Sequence, residues 1–475
     1  MTNPHFSLYD WSFLIIYLAF LLWIGLRRNR ITTEDYLIAN RNLGLPVFVA
    51  TLVATWYGGI LGAGEFVYTD GLAAWAANGL PYYLFAILFA LLLAKRVRQA
   101  GASLYTIPDR LEMEYDRGTA LLGALLAFLY ATPSQYVLML GILLQLLFGW
   151  PLWLAMLIGT LFSIIYALIG GFLADVRVNT LQFLLMFSGF IFTVVFCLTK
   201  FGGIRPLLRT HPLPPHYFTA LGNHNVLWLL AWSVIALQTF TDPGFHQRCY
   251  AAKTPRIATL GILVAVVCWF IFDSLTFLTG TFARVLFPNL SDPTLAFPLI
   301  AARVLPHGLR GFFYVGMLAP IMAATVSYTF ISAMTIGRDF IWRLRNEAGP
   351  QNVPRYTRIG LLLTSFISIG IALMVRSVVE QWYLFGNLIV SGLLLPLVGA
   401  YLCPPKWKIP ARYAFQAMLY GSLIAFLDLG LGWWHYHGNY RDLWGIPPLI
   451  PGLLVSGSFY LAGVRQTAKI CVSSL

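Results

Sequence analysis

The 475-residue chain is 59% hydrophobic and only 10% charged, with a mean hydropathy of +0.74. Soluble domains carry about 25% charged residues, so a chain this poor in charge cannot clothe a water-facing surface and is expected in lipid. Its net charge of +13 would suggest nucleic acid in a soluble protein. Here the basic residues stand in short blocks between apolar runs, such as Arg27-Arg28-Asn29-Arg30, Lys95-Arg96-Val97-Arg98 and Arg343-Leu344-Arg345. Such blocks belong at cytoplasmic helix ends and argue against a nucleic-acid partner.

A helix needs about 20 apolar residues to span the hydrocarbon, and about thirteen such runs are predicted. The leading helix α1 covers Tyr9–Leu26. Helices α2 to α6 cover 46–68, 79–95, 119–148, 152–170 and 177–199. Helices α7 to α11 cover 226–242, 258–287, 312–338, 358–377 and 382–402. Helices α12 and α13 cover 411–432 and 446–464. The whole chain, 1–475, reads as one transmembrane domain: leading helix 9–26, first repeat 46–199, second repeat 226–402 and two trailing helices over 411–464.

With the N-terminus outside and alternating spans, about 23 of the 31 Lys and Arg fall inside, as the positive-inside rule requires. A multi-pass protein of the plasma membrane follows, its C-terminus, with Arg465 and Lys469, in the cytoplasm. Cys197, Cys249, Cys268, Cys403 and Cys471 are scattered, without disulfide or metal spacing. No cofactor is expected.

A carboxylate inside a bilayer costs several kcal/mol on some scales, so function is its default reading and a neutral or paired packing role the alternative. Glu65 falls in the second half of α2, Asp273 in the middle of α8, Asp242 at the inner end of α7 and Asp428 late in α12. Two helices look broken. Helix α2 contains Trp56-Tyr57-Gly58-Gly59-Ile60-Leu61-Gly62-Ala63-Gly64, and α7 ends in Thr241-Asp242-Pro243-Gly244. Glycine weakens a helix and proline removes a donor. The two spans are five apart, as in an inverted-repeat transporter with its site at the breaks. The glycines also fit a role in close helix packing. An integral membrane enzyme would want an acid/base or metal cluster at one face. The eight histidines form none; His435 and His437 flank Tyr436 in a loop tip.

The motifs in order resemble the sodium:solute symporter family over roughly 34–345. They are Asp35-Tyr36-Leu37-Ile38-Ala39-Asn40-Arg41-Asn42-Leu43-Gly44 before α2, Thr106-Ile107-Pro108-Asp109 after α3, Gly170-Gly171-Phe172 through Gln182, Gln247-Arg248 after α7, and the polar-small run Gly316 to Asp339 in α9. The resemblance implies the leucine-transporter fold, an all-α membrane protein with a five-plus-five inverted repeat (α2–α6 and α7–α11), and a solute site midway through the membrane.

It also implies a sodium site between α2 and α9. The carbonyls would come from Ala54 and Tyr57, a third carbonyl from Pro320, and two hydroxyls from positions that hold Ala323 and Ala324. A hard cation wants oxygen ligands, and two methyls supply none. The family's coupling Asp on the fifth repeat helix falls on Asn179, with Asp175 four residues earlier. Sodium coupling is therefore doubtful. The expectation is a proton using Glu65, Asp242 or Asp273, an uncoupled carrier, or a non-transporting sensor of the same fold.

Sugar-binding members use polar side chains where this chain has Trp56, Leu61 and Ile235, with Gln238 the polar exception. Sugar hydroxyls would stay unpaired there. Ala54-Thr55-Trp56-Tyr57-Gly58-Gly59 looks like the choline-transporter branch. Trp56, with Tyr130, Tyr136 and Trp232 as walls and Asp242 nearby, suits an organic cation or zwitterion. The expected solute site is Trp56, Tyr57, Gly58, Gly59, Glu65, Tyr130, Trp232, Gln238 and Asp242, with Asp175, Asn179 and Asp273 as coupling residues.

Overall fold

Backbone groups in hydrocarbon have no water to bond, so each span satisfies its own amides by coiling. The computed structural model describes residues 6–27, 31–101, 103–347, 349–404, 407–436 and 446–473. Among them the fold is all helical, with one isolated bridge between Leu43 and Ala252. Arg28, Asn29 and Arg30 of the first basic block and His437 lie outside the described residues, as do the side chains of Lys469 and Cys471.

Eleven helices among the described residues are long and apolar enough to cross a bilayer. They begin with α1 (Leu8–Gly25), α2 (Leu45–Asp70), α3 (Leu72–Gln99) and α4 (Arg117–Phe148). The fifth, Leu152–Lys200, has 49 residues. At 1.5 Å per residue that is about 74 Å, more than twice the hydrocarbon thickness. Gly171 interrupts it with φ 57° and ψ −145°, so its parts are called α5 (152–170) and α6 (172–200). The rest are α7 (Val226–Ala251), α8 (Pro255–Leu286), α9 (Leu309–Arg345), α10 (Pro350–Met374), α11 (Val378–Leu402) and α12 (Ala411–His435). A last helix, α13 (Leu449–Ser473), is not among the eleven.

Most spans start and stop within a few residues of the expected bounds. Helix α3 starts earlier, because a short helix, Leu72–Asn78, runs into it through Gly79. Helix α9 runs longer, since its end winds as a π-helix over Thr335–Trp342. The connections between α6 and α7 and between α8 and α9 carry short helices, Ile204–Thr210 and Ala296–Val304.

Helix α9 is the centre. Its most apolar 18-residue window is wholly buried, and it packs on α1, α2, α6 and α10. Small residues set the closest approach: a Cβ on Gly189 of α6 would meet the Gly316 Cα at 3.1 Å. Helix α1 is pinned to the start of α9 by Asp10, which is fully buried. Its carboxylate accepts from the Gly308 and Gly311 amides at 2.8 and 2.9 Å, satisfying donors a helix start leaves open. On the periphery Ile15, Val267, Phe270, Phe366 and Phe426 face outward, where lipid is the solvent.

The Gly171 conformation is one that side-chain-bearing residues avoid, and a Cβ there would strike the Tyr36 carbonyl oxygen. Gly171→Ala is expected to cost about 1–3 kcal/mol. Thermal unfolding of the purified protein in detergent checks this; an unchanged midpoint would show that the break tolerates a side chain.

Candidate functional site

Both expected breaks are present. The α-helical ladder of α2 stops at Trp56, Tyr57–Gly59 winds as one 3-10 turn, and Ile60–Asp70 resumes. In α7, Val226–Ile235 passes into a 3-10 turn over Ala236–Phe240. Thr241 and Asp242 then leave the helix, which restarts at Pro243. Proline fits a first helical position because its missing N–H is not needed there. Asp242 caps the new start, its Oδ1 accepting from the Gly244 amide at 2.6 Å.

The breaks border a cavity of about 120 Å³. Trp56, Tyr57, Gly59, Tyr130, Trp232, Gln238 and Asp242 line it, as does Asp273. Gly58 and Glu65 do not. Gly58 turns away toward α9, where a Cβ would collide with that of Ala324. Glu65, itself half-buried, lies beyond the break on a mostly buried stretch of α2. Asn78, Tyr82, Gln135, Tyr328 and Trp382 also line the cavity. Tyr82, Tyr328 and Trp382 sit in apolar runs and carry no sequence signal, whereas Asn78 ends the short helix before Gly79 and Gln135 follows a break in α4 at Thr132-Pro133; Tyr136 is the wall expected of it.

The wall is aromatic. The Trp56 ring lies 4.9 Å from Trp269 and 5.2 Å from Tyr82, and Tyr136 stacks on Tyr328 at 5.4 Å. Two carboxylates interrupt it. The Tyr57 hydroxyl lies 2.7 Å from Asp273 Oδ1 and 2.9 Å from the Trp269 carbonyl. The Tyr83 hydroxyl donates to Asp273 Oδ2. Asp242 Oδ2 accepts from the Tyr328 hydroxyl at 3.0 Å. Both acids are held by neutral donors and face the cavity.

At the expected sodium positions, Ala323 and Ala324 are fully buried, and the Ala324 methyl meets the α2 break. Nearby hydroxyls are engaged, Thr325 with the Ile321 carbonyl at 2.8 Å and Thr329 with that of Thr325. The methyls do not fit a metal cation. The polar groups gather elsewhere, around the fully buried Arg248. Its guanidinium donates to Thr55 Oγ1 at 2.6 Å, Thr51 Oγ1 at 3.3 Å, the Gly244 carbonyl at 3.2 Å and Ser327 Oγ at 3.3 Å. Ser327 donates to Asp175 at 2.6 Å, and Asn179 donates to Ser327 at 3.0 Å. One oxygen each of Asp175 and Asn179 has no hydrogen-bond partner among the described residues. Sequence reading noted Gln247-Arg248 as a motif but gave the arginine no role.

Residues 36–403 match the sodium:solute symporter family. The chain belongs to that family. This sodium:solute symporter is 25% identical to the osmoregulated proline transporter of Bacillus subtilis, over 95% of this chain and 96% of that one. It is 26% identical to the sodium/pantothenate symporter of Escherichia coli, over 91% and 90%. It is 25% identical to the sodium/myo-inositol cotransporter 2 of Sus scrofa, over 89% and 70%. Among solved structures, a Na+-coupled sialic acid symporter superposes with a TM-score of 0.78 at 15% identity, over 97% and 98% of the two chains. The nucleobase-cation-symport-1 family transporter Mhp1 does so with 0.57 at 14% identity, over 93% and 96%. The fold is thus the leucine-transporter type. As a member of this family the chain is a multi-pass membrane transporter of small organic solutes, not an enzyme.

Arg248 and Asp175 bury opposite charges with Ser327 between them, and removing one partner leaves the other charge uncompensated. Arg248→Ala and Asp175→Asn are each expected to destabilise strongly. The double variant should lose at least about 1 kcal/mol less than the sum of the two. Strict additivity in detergent unfolding would show that the two do not interact.

Proposed function

We propose that the chain is a secondary active transporter of a small organic cation or zwitterion, with thirteen spans, and that a proton rather than sodium drives it. The observation that carries the substrate class is the cavity wall, with Trp56, Tyr82, Tyr130 and Trp232 beside Asp242 and Asp273. Aromatic faces attract an ammonium, by about 0.5 to 2 kcal/mol or more when dry, and carboxylates add charge complementarity. Size supports the same class. A cavity of about 150 Å³ holds benzene, so about 120 Å³ bounds the solute to a small molecule. Proline is what the named Bacillus subtilis relative carries. The choline-like Trp56 motif supports the cation.

The coupling reading rests on Ala323, Ala324 and Arg248. The first two offer methyls where the family's hydroxyls are expected. The nearest polar set, Asp175, Asn179 and Ser327, lies beside a permanent guanidinium charge. A metal cation there meets like-charge repulsion. A proton on the free oxygen of Asp175 adds the same unit of charge but needs no shell of oxygen ligands, which the alanine methyls do not supply. Asp175 with Asn179 is thus the coupling pair, and Asp273 and Asp242 face the solute. Counting α5 and α6 as two spans and adding α13 gives an odd number, which puts the termini on opposite sides, and the charge bias supports an outside N-terminus and a cytoplasmic C-terminus in a plasma membrane.

The test is uptake of radiolabelled proline and choline into proteoliposomes under an inward sodium gradient, an inward proton gradient, or neither. The expected result is proton-driven uptake of one of them. Sodium-driven uptake with no proton response overturns the coupling reading, and uptake of neither solute overturns the substrate class. Ala323→Ser/Ala324→Ser is expected to add a sodium response. Trp56→Ala is expected to weaken solute binding about 2- to 30-fold, from the cation–π range; unchanged affinity removes Trp56 from the site.

A further inference from the structure

A second, smaller cavity of about 20 Å³ lies between the central one and the end of the bundle where Arg338 and Arg343 stand. Thr106, His246, Gln247, Tyr250 and Thr335 are among its walls. His246 and Gln247 are 1% and 3% exposed. His246 Nε2 lies 3.0 Å from the Phe240 carbonyl. A carbonyl only accepts, so Nε2 carries the hydrogen and Nδ1 of the neutral ring is an acceptor. That Nδ1, and both Oε1 and Nε2 of Gln247, have no hydrogen-bond partner among the described residues. Native proteins rarely bury polar atoms unpaired, and exceptions call for an explanation. Other polar groups on the wall are engaged. Tyr250 pairs with Tyr401 at 2.6 Å, Thr106 Oγ1 with Asp339 at 2.8 Å, and Thr335 Oγ1 with the Ile331 carbonyl at 3.1 Å.

The two cavities share their walls in series. Asp242 faces the central one, and Pro243, His246 and Gln247 face the second. On α9, Tyr328 faces the first and Ile331, Met334 and Thr335 the second, roughly 5 to 10 Å further along. Beyond lies a clamp of buried ion pairs. Asp109, in the helix Ile107–Glu114 that Thr106 caps, accepts from Arg338 at 2.9 Å and from Arg343 at 2.8 Å. Arg343 also holds Asp339 at 3.0 Å.

We propose that the small cavity is an inner station of the transport path, where His246 Nδ1 and Gln247 Oε1 receive the N–H groups of an ammonium once the Asp109–Arg338–Arg343 clamp parts. This deepens the transport reading and rests on it. Two free acceptors against one free donor select a ligand rich in N–H. A quaternary ammonium has no hydrogen to offer and passes without stopping. In the closed arrangement about 20 Å³ has room for one water, so the station opens only with the clamp.

The test uses the full-length chain with its five cysteines replaced by serine and Thr335→Cys as reporter. Inside-out vesicles are treated with an anionic, membrane-impermeant methanethiosulfonate. Arg343→Ala, or Asp109→Asn where the first does not reach the membrane, is expected to speed modification at least tenfold. In that background methylammonium is expected to slow modification at least threefold and tetramethylammonium to leave it unchanged. Adding His246→Phe and Gln247→Leu should abolish the protection while the cysteine stays reactive, which shows the protein is folded. Equal protection by both amines, or by neither, overturns the station, the latter leaving a cavity for structural water alone. An unchanged rate in both clamp variants overturns the gating role. No uptake is measured, so failed transport of proline and choline with methylammonium protection intact would count against the transport reading alone.

Discussion

The fold turns on a single close approach, that of Gly58 to Ala324. The α2 break exposes backbone groups that hydrocarbon cannot satisfy, and such a segment survives only when buried in protein. Helix α9 supplies that burial along its whole apolar length. It reaches the break because residue 58 has no Cβ and residue 324 has only one carbon. A Cβ on residue 58 would collide with the Ala324 methyl and lever the turn away, and the cavity in front of Tyr57 and Gly59 would lose its back wall. The same contact fixes which side of α9 meets the break. The helix register therefore follows from packing, and methyls fill the place where the family resemblance calls for hydroxyls.

Among the described residues, the buried ions of the site and of α1 each meet donors or acceptors. Asp10 is met by two amides at the start of α9. Asp242 is met by the amide of Gly244 and the hydroxyl of Tyr328. Asp273 is met by two tyrosines. Arg248 is held by threonines and a serine. Neutral donors of this kind keep a carboxylate in place without cancelling its charge. The two acids at the cavity thus remain able to recognise a cation. Asp109, by contrast, is met by two arginines, an arrangement that locks helices together and leaves no field to offer a solute. In the proposed reading, the distinction separates recognition from closure within one bundle.

The spans and both breaks were legible because each has a local cause. Apolar length marks a span, and Gly58-Gly59 and Asp242-Pro243-Gly244 mark the breaks. The cavity was half legible. Residues at the breaks, such as Trp56 and Asp242, announce themselves by position. Tyr82, Tyr328 and Trp382 do not, because an aromatic side chain in an apolar span looks the same whether it faces lipid, core or cavity. Glu65 shows the opposite error: an acid in a span draws attention, yet the rotation of α2 after its break carries it away from the cavity. Asp10 went unnoticed because an acid in the first turn of a helix reads as an ordinary cap, and its second task, bonding to α9 nearly 300 residues later, has no sequence signature. Arg248 was hidden by its neighbours, since an arginine just after a span reads as a cytoplasmic anchor and only the structure buries it.

The burial of Arg248 constrains how a coupling proton can act. Arginine stays charged in proteins, and the carboxylate of Asp175, through Ser327, balances it together with that of Asp242. Protonating Asp175 removes its share of that balance and leaves a buried cation less compensated in a low-dielectric interior, where it is costly. The network then gains by rearranging toward water or toward another anion. Arg248 bonds Thr51 and Thr55 of α2, Ser327 of α9 and its own helix at Gly244, so any movement of the guanidinium changes the packing of both broken helices against α9. A proton at Asp175 would thereby be felt at the cavity without touching the solute, through the one charged group that all three helices share.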